Sequence, residues 1–158
     1  MNRLRFSYIL TGWVLLSTPF QVNSHGYVLG NIKITHPWTT PTGSSIAGRA
    51  NNPGYLTLKN RGHQPDKLLS VSADIATKIE FYASIGAGST SKPRRVDALE
   101  VPAGKTVRLK PGASHLMLVD LQKPLDRGSH FPLVLKFEHS GTITVDMFVQ
   151  SNAKESIY

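Results

Sequence analysis

From residue 27 to residue 150 the chain alternates short runs rich in Val, Ile, Leu, Thr and aromatic residues with Gly, Pro, Asn and Ser. Segments of that length and punctuation suit strands joined by tight turns, and they leave little room for helices. Nine strands are predicted: Tyr27–Thr35, Gly54–Asn60, Asp66–Ser72, Ala76–Ser84, Arg94–Glu100, Lys105–Leu109, His115–Leu121, Phe131–Glu138 and Gly141–Gln150. In Thr142-Ile143-Thr144-Val145-Asp146-Met147 the apolar residues fall on one face, and Lys105-Thr106-Val107-Arg108-Leu109 behaves likewise. Turn chemistry separates the runs, with Gly62, Gly104, Gly112 and Gly141 placed where the chain must reverse. No stretch keeps a helical apolar period over ten residues; at most a short helical turn is expected near Asp74–Thr77. With 158 residues and no internal repeat, the expectation is one all-β domain, a sandwich or barrel.

The first 24 residues read differently. Asn2-Arg3-Leu4-Arg5 is a basic start, Phe6 to Phe20 is apolar, and Val22-Asn23-Ser24 resembles a small-residue cleavage site. That is the pattern of a secretory signal peptide, residues 1–24, with the folded domain at 25–158. An uncleaved membrane anchor is the alternative, although the apolar stretch falls short of the roughly 20 residues a spanning helix needs. Cleavage leaves 134 residues with 16 basic and 10 acidic groups, so the net charge of +8 becomes +6. The expected location is the periplasm, with membrane association only through partners.

No cysteine is present, which excludes disulfides, thiolate metal sites and thiol nucleophiles. Soft-metal chemistry is thereby confined to His and Met, and beyond the leader only Met117 and Met147 remain. His115-Leu116-Met117 follows the Pro111-Gly112 turn at the head of a predicted strand. Residues two apart on a strand share a face, about 6.5–7 Å apart. An imidazole and a thioether so placed can converge on one ion, and the pair suits Cu(I). The alternative is that Met117 packs in the core while His115 is a polar residue at a strand end.

In order along the chain, His36-Pro37-Trp38, Gly54-Tyr55-Leu56-Thr57-Leu58, Asp66-Lys67-Leu68-Leu69, Val101-Pro102-Ala103-Gly104-Lys105-Thr106-Val107, Leu109-Lys110-Pro111-Gly112, His115-Leu116-Met117-Leu118 and Leu121-Gln122-Lys123-Pro124-Leu125 resemble the PCu(A)C family of periplasmic copper chaperones. The resemblance runs from about Gly30 to Val149. It implies a cupredoxin-like, Greek-key β-sandwich that carries Cu(I), with Cu(II) as a further form. It also implies exchange with a copper-donating or copper-accepting periplasmic protein, such as one serving the copper centre of cytochrome c oxidase. Members of that family typically hold copper with a His, a Met eleven positions on, a His twenty-two further and a Met two beyond. Aligned on His115 and Met117, the first two positions are Tyr82 and Pro93 in this chain. Pro93 has no side-chain donor and Tyr82 offers a hard oxygen poorly matched to Cu(I). Two readings follow: a two-ligand site on His115 and Met117 completed by a partner, or a divergent member that has lost copper and serves as a protein-interaction module.

His25 would become the mature N-terminus if cleavage follows Ser24, and its amine and imidazole could chelate copper together. The start His25-Gly26-Tyr27-Val28 resembles that of lytic polysaccharide monooxygenases, which makes a copper oxygenase a remote alternative. His36 is read as a packing residue, His63, His130 and His139 as surface residues, and Met147 as core. The acids are scattered, with no nucleophile elbow and no phosphate-cradling glycine motif, so catalysis is not expected. Lys92, Arg94, Arg95, Lys105, Arg108 and Lys110 are expected to gather near the site, to dock an acidic partner or a membrane face, or simply as a solvated strand edge. No aromatic stacking set accompanies them, so nucleic acid is not an expected partner. The domain is expected to be a monomer.

Overall fold

The computed structural model describes residues 26–42, 50–84 and 92–152, and every described element is a strand. In chain order these are β1 Gly26–Leu29, β2 Ile32–Thr39, β3 Asn52–Asn60, β4 Asp66–Ser72, β5 Ala76–Ala83, β6 Arg94–Val96, β7 Leu99–Val101, β8 Thr106–Leu109, β9 His115–Leu121, β10 His130–Phe137 and β11 Thr142–Val149. Neighbours run in the order β6-β5-β9-β3-β2-β11-β10-β4-β7, with β1 on β2 and β8 on β3. All pairings are antiparallel except β11 with β2, where Phe148 faces Trp38 and Val149 faces Thr39. β4 and β5 are joined by only Ala73, Asp74 and Ile75, yet they stand near opposite ends of the strand order. The sheet therefore folds over on itself and encloses one core, as a β-sandwich does.

Alternation decides what fills that core. Ile32 and Ile34 of β2, Leu56 and Leu58 of β3, Leu116 and Leu118 of β9, Leu133 and Leu135 of β10, and Val145, Met147 and Val149 of β11 are all buried. Each fully buried aliphatic side chain contributes about 1.5–3 kcal/mol, which is how a chain without cysteine holds together. Gly54 lets β3 approach β9 closely: a Cβ there would lie 3.0 Å from Leu118 Cδ1. Met147 is in the core, as its alternation requires.

The structure departs from the sequence reading in three places. The expected strand Tyr27–Thr35 is a hairpin, broken at Gly30-Asn31, where Gly30 has φ +54°. β2 then continues through His36-Pro37-Trp38, the pairing with β3 shifting between Thr35 and Trp38 around a bulge at His36, φ +51°. The expected strand Arg94–Glu100 is two: β6 pairs with β5 and β7 with β4, so one run of sequence serves both ends of the sheet. Asp74 and Ile75 form a turn closed by Ala76 N–H donating to the Ala73 carbonyl at 3.2 Å, not a helix.

Two buried polar side chains fasten loops to the sandwich. The Asp66 carboxylate accepts from the N–H groups of Lys67 at 2.8 Å, His139 at 3.0 Å and Ser140 at 3.0 Å, which locks the β10–β11 hairpin onto β4. Burial pushes its pKa up, but the bonds from Ser140, His139 and Lys67 outweigh that and hold it below the ordinary carboxylate value. Asn60 donates to the carbonyls of Gln64 (2.7 Å) and Val101 (3.0 Å) and accepts from Gly62 N–H at 2.9 Å. All its hydrogen-bonding groups are thus engaged.

Candidate metal centre

The turn leading into β9 is set by Lys110 N–H donating to the Ser114 carbonyl at 2.9 Å and Ala113 N–H donating to the Lys110 carbonyl at 3.1 Å. Gly112 takes φ +76° within it. β9 emerges with Leu116 and Leu118 pointing into the core, so His115 and Met117 stand on the opposite face, both half-buried. Of the two arrangements the sequence left open for Met117, the packed-core one is excluded.

The His115 imidazole is held twice. Its Nδ1 lies 2.8 Å from the Ala113 carbonyl oxygen. A carbonyl only accepts, so Nδ1 carries the proton and the Nε2 lone pair is left for a ligand or an ion. Such fixing of the non-ligating nitrogen is what metal-binding histidines commonly show. On one face the ring is covered by Tyr82, with 5.2 Å between centroids and 2° between planes.

Tyr82 gets there by strand register. β5 runs beside β9 with Tyr82 opposite His115 and Glu80 opposite Met117, while Pro53 of β3 faces Met117 from the other side. Beyond β5, Arg95 of β6 lies opposite Tyr82. The outer face therefore carries the sequence Arg95, Tyr82, His115 in one row and Glu80, Met117, Pro53 in the next. Glu80 gathers the charges: its Oε1 lies 2.7 Å from Lys78 Nζ and 3.6 Å from an Arg95 guanidinium nitrogen, and its Oε2 accepts from the Tyr82 hydroxyl at 3.4 Å. Hydrogen bonding from Lys78 leads in pulling its carboxyl below the usual value, Arg95 helps, and partial desolvation opposes them.

The residues the resemblance places in the ligand pattern thus take different roles. Tyr82 stacks on the imidazole, and its hydroxyl is engaged by Glu80. Pro93 lies just ahead of β6 and brings no side-chain donor to the face. His25 lies outside the described residues. His36 sits exposed at the β2 bulge rather than packed inside as expected, its Nε2 2.8 Å from Gln150 Nε2, with partial desolvation leading in lowering its pKa. His63, His130 and His139 are exposed. Among the described residues no three His, Cys, Asp or Glu side chains converge on one point.

The basic groups gather only in part. Arg94 and Arg95 form the sheet-edge strand β6 beside the site, and Lys110 begins the turn that leads to His115. Lys105 instead lies at the far end of β8, next to the Gly62 loop, where its carbonyl accepts from Asn60 N–H. Glu80 is the site residue that sequence reasoning missed. Its shared face with Tyr82 follows from period two, but its place beside Met117 depends on β5 pairing with β9, which no local pattern encodes.

Residues 32–149 match the family model described as "Putative lipoprotein LpqE-like". A curated relative, "Putative lipoprotein Lxx21020" of Leifsonia xyli subsp. xyli, is 23% identical over 141 residues, covering 87% of this chain and 82% of that protein. Among solved structures, the copper-bound PCuAC domain from PmoF2 superposes with a TM-score of 0.68 at 30% identity, covering 80% of this chain and 98% of that one. The solution structure of CuI-DR1885 from Deinococcus radiodurans shares the fold, with a TM-score of 0.63 at 24% identity over 83% of this chain and 84% of that one.

Proposed function

The chain belongs to the LpqE-like family, and from that membership, its likeness to a copper-bound PCuAC domain and its β9 geometry we propose that it is an exported copper-binding chaperone. The observation that carries this reading is the pairing of His115 Nε2, freed by the Nδ1 bond to Ala113, with the Met117 thioether on the same half-buried face. Cu(I) accepts low coordination by soft donors, so one imidazole and one thioether can hold it. Such a site leaves coordination positions open. A partner's donors can enter before His115 and Met117 leave, and copper passes stepwise without being released to water. The chain itself catalyses no reaction in this scheme. Its partner is a periplasmic protein that gives or takes copper, such as one supplying the copper centre of cytochrome c oxidase.

A second reading has an observation of its own. Tyr82 and Pro93 stand where the resemblance expects donors, which favours a protein-interaction module built on the same sandwich. Anaerobic Cu(I) titration against a chromophoric chelator separates the two. Tight binding by the wild type that is lost in both His115→Ala and Met117→Ala supports the chaperone. A wild type that takes up no Cu(I) leaves the interaction module. The copper oxygenase alternative on His25 is tested by N-terminal sequencing of exported protein: a start anywhere but His25 removes it.

A further inference from the structure

We propose that Glu80 is a third donor to the β9 site, an oxygen ligand that gives it a hold on Cu(II) beyond what His115 and Met117 supply. The inference rests on the reading of those two residues as copper donors. Glu80 is directly opposite Met117 in the β5–β9 register, and Tyr82, two residues on, is opposite His115. Side chains directly across an antiparallel pair have Cβ atoms about 4.5–5.5 Å apart and diagonal neighbours about 7–8 Å. A carboxylate, a thioether and an imidazole on these three positions can therefore reach one point above the sheet.

The present partners of Glu80 hold it there without sealing it. The Glu80 side chain is only 12% exposed, whereas Lys78 and Arg95 are 55% and 61% exposed. Ion pairs with such exposed cations are weakly held. Both long side chains can swing into water when a dication arrives, while the shorter carboxylate stays at the face with the Tyr82 hydroxyl on its Oε2. The donor chemistry then sorts the two copper ions. Thioether sulfur favours Cu(I), imidazole serves both, and carboxylate oxygen favours the harder Cu(II). The site would accept copper in either oxidation state with no electron transferred on binding, leaning on Met117 for one and on Glu80 for the other.

The test compares wild type, Glu80→Gln and Arg95→Gln in two titrations of the purified protein, one with Cu(II) against a competing chelator and one with Cu(I) under anaerobic conditions. Glu80→Gln preserves the shape and an acceptor for Tyr82. It is expected to weaken Cu(II) at least tenfold while Cu(I) stays within threefold, and Arg95→Gln, which removes a competitor for the carboxylate, is expected to strengthen Cu(II). Equal weakening of both ions would make Glu80 a scaffold residue and overturn the proposal, as would Cu(II) affinity in Glu80→Gln within twofold of wild type. In either case Cu(I) binding lost in His115→Ala and Met117→Ala would leave the chaperone reading standing. A wild type that binds no Cu(I) would remove that reading and this one together.

Discussion

The phenol ring of Tyr82 lies flat against the imidazole of His115, their planes 2° apart. The contact is made across two strands, β5 and β9, and it works with the Ala113 carbonyl to fix one side chain from two directions. A donor so fixed loses less freedom when it takes an ion. Tyr82, at a position where the resemblance expects a ligand, thereby serves the neighbouring His115.

Removal of that ring should be felt in metal affinity. Stacked aromatic pairs are worth about 0.5–1.5 kcal/mol beyond their buried area. Tyr82→Ala is expected to weaken Cu(I) binding by roughly two- to tenfold, while Tyr82→Phe, which keeps the stack and loses the hydroxyl, stays near wild type in the same chelator competition. A Tyr82→Phe variant as weak as Tyr82→Ala would show that the hydroxyl, and not the ring, is what matters.

Met117→Leu isolates the thioether from its packing. The two side chains have similar volume, and at a half-buried position such a swap costs less than about 1 kcal/mol. Urea unfolding should therefore be nearly unchanged while Cu(I) affinity falls by roughly tenfold or more. Met147→Leu provides the contrast: Met147 is fully buried and remote from the outer face, so copper binding should be unaffected.

Acid stability should depend on Asp66. Its folded pKa is depressed by bonds from Ser140, His139 and Lys67 that outweigh burial. The carboxylate therefore contributes stability at pH values above its unfolded value of about 3.9. That contribution is lost as pH falls from there through the lower folded value. Asp66→Asn is expected to lower stability at pH 7 by about 1–3 kcal/mol, because one side-chain oxygen becomes a donor facing backbone N–H groups. The wild-type and variant stability curves should converge as pH falls below the unfolded value of about 3.9 in urea titrations; parallel curves would rule out the carboxylate as the acid-sensitive group.

Asn60→Ala removes three hydrogen bonds at a fully buried position. It leaves the carbonyls of Gln64 and Val101 and the N–H of Gly62 without that partner, an expected loss of roughly 2–3 kcal/mol by urea unfolding. Cu(I) affinity should not move, since the Asn60 clamp lies at the far end of β3 from Pro53, the residue facing Met117.

Much of this molecule was legible from one dimension. Alternation identified the strands that carry the core, Met147 included, and residues two apart put His115 and Met117 on one face. Where the backbone departs from simple period two the reading failed: Gly30-Asn31 turns a run of β-formers into a hairpin, and the bulge at His36 lets β2 continue through Pro37. Arg94–Glu100 read as one strand because no Gly or Pro interrupts it, yet its two halves pair with β5 and β4. Counting positions found Tyr82 but could not give its role, because stacking on His115 depends on a partner more than thirty residues away. Glu80 escaped notice for the same reason.

The parallel pairing of β11 with β2 has a bearing on time. Trp38 and Phe148 meet across 110 positions of chain, and the entropy of closing so long a loop must be met before the contact returns anything. All the strands that build the face of His115 and Met117, β3, β5, β6 and β9, precede β11, yet the core beneath them includes Val145, Met147 and Val149. A chain that emerges from its N-terminus presents His115 and Met117 before the strand that closes the sandwich has arrived. Completion of the face that carries His115 and Met117 is thereby tied to the arrival of β11, and a molecule cut short before it would carry both side chains on a sheet lacking Val145, Met147 and Val149 beneath it.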